Sequence, residues 1–128
     1  MQEAIGTEVT VSDDLLEQVW TLVRYSDPST AGVWPRATAL LARQALESGL
    51  DDLWHRRAPS LTDCSLKAQL LCLRSYIDSN TAERAAHTWV VLSRACHHHP
   101  YELSPTADEL VSWVEDTQSV IVACKDAS

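Results

Sequence analysis

The chain has 128 residues, carries a formal net charge of -8 and is 45% apolar. This size and composition are typical of one globular domain with its own core, and they exclude an intrinsically disordered chain. Only ten residues are Lys or Arg, which excludes nucleic-acid binding through an extended basic face and restricts any such contact to a small pocket.

The sequence contains no apolar run close to the ~20 residues that a membrane-spanning helix needs. Its first residues are acidic and lack the basic start and apolar stretch of a secretion signal. We therefore expect a soluble, cytoplasmic protein with no membrane partner. Residues 1–10 are predicted to form a loose arm and residues 11–125 a single helical domain. The four cysteines are scattered without a C-x-x-C pair, and buried, reduced thiols are expected.

The first two helices are indicated by apolar residues at helical spacing. Helix one is predicted to begin at Ser12, a favourable N-cap followed by two acidic residues, and to end at residues 27–29. Helix two is predicted from residue 30 or 34 to residue 56, with Pro35 in its first turn. Its broad apolar surface favours packing on more than one neighbour.

Three more helices follow. The third is predicted at residues 62–77, and the fourth begins at residue 79 or 80, where Asn80 and Glu83 have the spacing of a capping box. Pro100 ends it, and Ser104 is the predicted cap of the last helix. No segment alternates like a strand, and the short connections favour antiparallel neighbours. The predicted fold is an all-α, up-and-down bundle of four to five helices.

The residues that suggest chemistry lie where the fourth helix stops, in the segment Arg94-Ala-Cys-His-His-His99-Pro-Tyr101. If the helix continues to His98, Arg94 and His98 share one face. The helix dipole stabilises cationic histidines near a C-terminus, and such a histidine can exchange protons near neutral pH. Because an arginine can hold a phosphate and offset growing charge, the cluster favours metal-independent phosphodiester cleavage.

The order Arg94, four residues, His99, one residue, Tyr101 resembles the R-x4-H-x-Y motif of the HEPN superfamily, in the form found in HEPN toxins paired with nucleotidyltransferase antitoxins. The resemblance implies a HEPN-like bundle that forms a homodimer across the motif and often acts as a metal-independent ribonuclease. It implies that Arg94 binds the scissile phosphate and that His99 is the acid or base. Tyr101 would line the site and could be modified by a partner, and His97 and His98 would assist. Active members usually carry a polar residue directly after the arginine, where this chain has Ala95.

Other interpretations of the cluster stay open. The three histidines can form a solvated helix end, and Arg94 can pair at the surface with Glu83 or Asp108. A metal site built from Cys96, the histidines and Glu102 is disfavoured because adjacent residues cannot all face one ion. We therefore expect neither a metal nor another cofactor.

The alternative function is a non-catalytic adaptor that binds a protein partner. Tryptophan is favoured at the centres of interfaces, and Trp34 and Trp54 flank the apolar stripe of the second helix, where they define a candidate partner surface. Trp89 and Trp113 lie on apolar faces and are expected in the core. The preferred hypothesis remains a HEPN-like homodimer with a site for RNA or a nucleotide at the histidine cluster.

Overall fold

The computed structural model describes residues 9–24, 34–97 and 105–127. The α-helices in these ranges are α1 (Val11–Arg24), α2 (Trp34–Arg57), α3 (Leu66–Cys72), α4 (Ser79–Cys96) and α5 (Ala107–Asp126). Two short 3-10 helices, Pro59–Asp63 and Leu73–Ser75, flank α3. The described ranges contain no strand, so the predicted all-α class is confirmed.

The long helices alternate in direction. Arg36 at the start of α2 contacts the carbonyl of Cys96 at the end of α4, so these two helices are antiparallel. Lys125 near the end of α5 contacts Asp13 near the start of α1, so they are antiparallel as well. We call the end of the bundle at which α2 begins and α4 ends the upper end. An up-and-down helical bundle is consistent with this arrangement.

The core follows α2 along its length in two clusters of buried apolar side chains. The upper cluster contains Ala39 and Ala42 of α2, and the lower cluster contains Leu46, Leu50 and Leu53. These five residues are the stripe that the helical spacing predicts, and all of them are fully buried. Because α2 contacts α1, α4 and α5, its predicted packing on several neighbours is confirmed.

The start of α1 differs slightly from the prediction. The helix begins at Val11, and Ser12, the predicted cap, lies buried inside its first turn. The backbone N–H of Thr10 donates to the Asp13 carboxylate, and the N–H of Asp13 donates to the Thr10 hydroxyl. This exchange satisfies two amides that a helix start leaves without partners. The predicted end at residues 27–29 and most of the arm, residues 1–8, lie outside the described residues.

The predicted capping box of α4 is wrong. Asp78 is the N-cap, and its carboxylate accepts a hydrogen bond of 3.0 Å from the backbone N–H of Thr81. Asn80 and Glu83 lie within the helix instead and are exposed. Their spacing fits a capping box, but Asp78 stands two residues earlier with an equally suitable side chain, which the apolar pattern did not reveal.

The predicted third and fifth helices also need correction. α3 is much shorter than residues 62–77, because Ser65 caps it from within that range and a 3-10 turn follows it. α5 is capped by Thr106, which forms a capping box with Glu109, rather than by Ser104, which lies outside the described residues. No helix in the described ranges is long and apolar enough to cross a membrane.

The cysteines are less uniformly buried than predicted. All four are free thiols, but only Cys96 and Cys124 are buried, whereas Cys72 is half-buried and Cys64 is exposed. Cys64 is the C-cap of a 3-10 helix that has no buried residue, so its environment follows from the break in the predicted third helix.

Candidate functional site

The structure describes two of the five predicted site residues. Arg94 lies in the last turn of α4, and His97 is the residue that caps it; both are exposed. His98, His99 and Tyr101 lie outside the described residues. The helical continuation to His98 is not observed, because α4 ends at Cys96. The i, i+4 pairing predicted for Arg94 and His98 on one helical face therefore loses its basis.

Arg94 and His97 are held together by the way in which α4 ends. The backbone of His97 leaves helical geometry, with φ -107° and ψ 38°. Its N–H still donates to the carbonyls of Ser93 and Arg94, at 3.2 and 3.1 Å. Arg94 and His97 therefore lie within one turn of each other at the end of α4, at the upper end of the bundle.

Arg36 is a third basic residue at this end that the sequence pattern did not single out as a site residue. Its Nε donates to the Cys96 carbonyl over 2.9 Å. This carbonyl belongs to the last turn of α4, where the helix provides no partner. The guanidinium thus places a positive charge against the negative end of the α4 dipole. The contact joins residues 60 positions apart, a distance at which helical periodicity gives no information.

The thiol of Cys96 lies among these charges. Burial raises the pKa of Cys96, while the nearby cations Arg43 and Arg36 act in the opposite direction. Arg43 lies 3.6 Å from the Glu47 carboxylate. Arg36, Arg43 and Arg94 therefore bring three of the ten cations of an acidic chain to the C-terminal part of α4. Because the Glu47 carboxylate offsets the charge of Arg43, Arg94 and Arg36 supply the positive charge that an anionic ligand would meet.

Ala95 faces inward from the same turn. It is buried and belongs to the upper core cluster. A polar side chain at this position would enter an apolar environment and would need a buried hydrogen-bond partner. Packing thus explains the alanine that follows Arg94.

Two other interpretations of the cluster involve a surface ion pair of Arg94 and a metal site. No ion pair joins Arg94 to Glu83 or Asp108, whereas Arg84 of α4 lies 3.9 Å from Asp116 of α5. Within the described part of the chain, no group of three His, Cys, Asp or Glu side chains could hold a metal ion. Glu102 and two of the histidines considered as ligands lie outside that part.

The predicted partner surface is wrong for Trp54. Trp54 is fully buried and packs edge-on against Tyr76, with 5.3 Å between ring centroids. Trp34 is half-buried against the upper core cluster. Trp54 faces the segment that follows α2, which the sequence pattern treated as a separate helix without a known position. Trp89 and Trp113 are partly buried against the core, as their apolar faces predicted.

Comparison of the chain with protein-family models, with curated proteins and with solved structures finds no match. The resemblance to the HEPN superfamily therefore rests on the spacing of Arg94, His99 and Tyr101 and on the helical bundle that carries the arginine.

Proposed function

We propose that this chain is a HEPN-like helical domain that binds RNA or a nucleotide at the upper end of its bundle. The observation that carries the proposal is the position of Arg94, exposed on the last turn of α4 and three residues before the exposed cap residue His97. An exposed guanidinium with no carboxylate partner among the described residues is available for a two-pronged phosphate contact. Arg36, bound to the end of the same helix, adds to the local positive charge.

The chemistry that suits these residue types is metal-independent cleavage of RNA. In such a reaction a neutral imidazole accepts the proton of a ribose 2′-hydroxyl while that oxygen attacks the adjacent phosphorus. The bond to the 5′-oxygen breaks, and a protonated imidazole donates a proton to the leaving oxygen. His99 is proposed for one of these roles and Tyr101 as a residue that lines the site, with His97 and His98 assisting. Arg94 would stabilise the charge on the phosphorane-like transition state.

A homodimer completes the proposal. The reaction needs both a base for the attacking oxygen and an acid for the leaving oxygen. Two copies of the chain that meet at their upper ends would supply acid and base from different subunits. The net charge of -8 requires that few phosphates be contacted, so binding should depend only weakly on salt. We expect the logarithm of the binding constant to fall linearly with the logarithm of the salt concentration, with a slope of ~0.7 for each of about two or three phosphate contacts.

The proposal is tested by incubating the purified protein with a mixed RNA substrate, with and without a chelator. The variants are Arg94→Ala and His99→Ala, and Arg84→Ala is the matched control, because it removes an arginine from the same helix outside the site. Cleavage that resists the chelator should fall by about 100-fold or more in the first two variants. The control should retain activity, since its surface ion pair contributes little.

Binding measurements separate the catalytic form of the proposal from the binding form. If wild type cleaves no RNA but binds RNA or a nucleotide, and Arg94→Ala weakens that binding about tenfold or more, the site is a binding site without catalysis. If neither cleavage nor binding depends on Arg94 or His99, the proposed function is wrong. Sedimentation of the same samples shows whether the active species is a dimer.

A further inference from the structure

A groove of about 390 Å³ lies at the side of the bundle, between α4 and the α3 segment, which comprises α3 and the 3-10 turn Leu73–Ser75 that follows it. Most of its walls are apolar side chains; they are Leu70, Leu71, Ala82, Ala86, Trp89 and Val90. Leu71 on α3 is 65% exposed and Val90 on α4 is 40% exposed. Isolated apolar residues on a surface are ordinary, but two that border the same apolar groove form a continuous patch of the kind that marks interaction sites.

The patch is held in place by the core beneath it. Leu70 and Ala82 belong to the lower core cluster. The indole N–H of Trp89 donates to the Glu47 carboxylate of α2 over 3.0 Å, which fixes this large ring beside the groove. A partner would therefore meet a preformed surface and would not have to order it, which favours affinity.

The charges around the groove are unequal on its two sides. Lys67 and Arg74 stand on the side of the α3 segment, and Glu83 stands on the α4 side. No ion pair joins Lys67 or Arg74 to another described residue, unlike the paired cations Arg84 and Lys125. Lys67 lies in α3 and Arg74, seven residues later, in the 3-10 turn that follows it, so about 10 Å separates them along the segment. One border of an otherwise apolar groove is therefore positive in a protein whose net charge is -8.

We propose that the groove between α3 and α4 binds an amphipathic helix of a partner protein. The apolar stripe of that helix would cover Leu71 and Val90. Two of its acidic residues, two turns apart, would lie beside Lys67 and Arg74. A small ligand usually buries most of its surface in its site, whereas this groove is bordered by the exposed apolar side chains of Leu71 and Val90. An amphipathic helix needs to bury only its apolar stripe, and a groove with apolar walls can cover that stripe.

The test uses the full-length protein and a display library of helical peptides. Each peptide carries a fixed apolar stripe, and the positions beside the stripe are varied among Glu, Gln and Lys. Selected peptides should carry Glu at two positions about seven residues apart. A selected peptide should bind about tenfold more tightly than its counterpart with Lys at both positions.

Two variants locate the binding in the groove. Leu71→Asp should weaken the selected peptide about tenfold or more, and because Leu71 is largely exposed the variant should keep the wild-type circular dichroism spectrum. Val122→Asp is the matched control, since Val122 is 50% exposed on α5 and lies outside the groove; its affinity should equal that of wild type. The double variant Lys67→Glu/Arg74→Glu should select peptides with Lys in place of Glu.

The proposal is overturned if no peptide is enriched, if Leu71→Asp leaves the affinity unchanged, or if the double variant selects the same charges as wild type. It is also overturned if decanoate, tested as a simple amphiphile, binds in a Leu71-dependent manner while no peptide does, because the groove would then be a small-ligand site. None of these measurements involves RNA, so their failure leaves the proposed function at Arg94 untouched.

Discussion

Gly49 on α2 lies directly against Ile121 on α5: a Cβ atom added to Gly49 would stand 2.9 Å from Cγ1 of Ile121. Real side-chain atoms do not approach so closely, so the missing side chain sets how near the two helices can come. Glycine inside a helix costs about 1 kcal/mol relative to alanine. The close contact with the buried Ile121 explains why glycine stands at this position in spite of that cost.

We expect Gly49→Ala to lower the free energy of unfolding. Alanine gains about 1 kcal/mol in helix propensity, but overpacking a tight core contact typically costs about 1–3 kcal/mol. The net loss should be on the order of 1 kcal/mol, measured as a lower midpoint of urea unfolding with an unchanged slope. In an Ile121→Ala background the same substitution should become stabilising, because the obstructing atom is gone. If Gly49→Ala alone is more stable than wild type, α5 moves away from α2 at little cost in free energy.

Removal of the Arg36 side chain should loosen the end of α4. Arg36→Ala deletes the hydrogen bond to the Cys96 carbonyl and the charge against the helix dipole, each a contribution of about 0.5–1 kcal/mol. We expect a loss of about 1 kcal/mol in unfolding free energy and faster amide exchange in the last turn of α4. Arg84→Ala removes another exposed arginine whose surface ion pair counts for little, and it should show neither effect. Equal behaviour of the two variants would mean that the contact does not stabilise α4.

The sequence predicts α2 well and the segment after it poorly, for a physical reason. The apolar stripe from Ala39 to Leu53 repeats at helical spacing over four turns, so it fixes which side of α2 faces the core. Residues 62–77 also show apolar residues three and four apart, yet Ser65 offers a cap inside that range. Local hydrogen bonding thus competes with periodicity over a few residues, and tertiary packing decides which prevails.

The candidate site shows the same division. The exposure of Arg94 and the inward position of Ala95 follow from the register of α4, which the apolar pattern fixes. The contact between Arg36 and Cys96 depends on how α2 and α4 cross, and no local pattern encodes it. The prediction for Trp54 is wrong for the same reason, because its neighbour Tyr76 belongs to a segment whose position only the folded chain defines.

Trp54→Ala should unfold much of the lower core. The side chain is fully buried, and deleting a large aromatic ring from a core costs about 3–5 kcal/mol. Trp54→Phe should cost less, on the order of 1 kcal/mol, because the indole N–H has no hydrogen-bond acceptor among the described residues and its loss removes an unpaired donor. Urea unfolding of both variants measures the difference. A Trp54→Ala variant as stable as wild type would contradict the buried position.

The contact between Asp13 and Lys125 should make stability fall in acid. Burial opposes the charge of Asp13, but hydrogen bonds from Lys125 and Thr10 outweigh it and lower the pKa of the carboxyl. The stabilisation is therefore complete above the unfolded pKa of about 3.9 and is lost as the pH falls through the lower folded value. Asp13→Asn should lose on the order of 1 kcal/mol or less at pH 7, because the pair is partly exposed.

The difference between Asp13→Asn and wild type should shrink as the pH approaches the folded pKa of Asp13, when the wild-type carboxyl is protonated as well. Asp14→Asn is the matched control, since it removes the same charge from the adjacent residue without the contact to Lys125. Urea unfolding across this pH range should show a smaller and flatter effect for the control. A difference between Asp13→Asn and wild type that persists unchanged in acid would assign the loss to something other than the charge.

The four thiols should react with iodoacetamide in the order of their exposure. Cys64 is exposed and Cys72 half-buried, whereas Cys96 and Cys124 are buried. Burial raises the pKa of Cys124 to about 11, against the opposing charge of Arg56. Because the thiolate is the reactive form, Cys124 should stay unmodified at about pH 8 while Cys64 is alkylated, as mass spectrometry of digested protein would show. In urea all four should react alike, and rapid labelling of Cys124 in the folded protein would mean that the end of α5 opens readily.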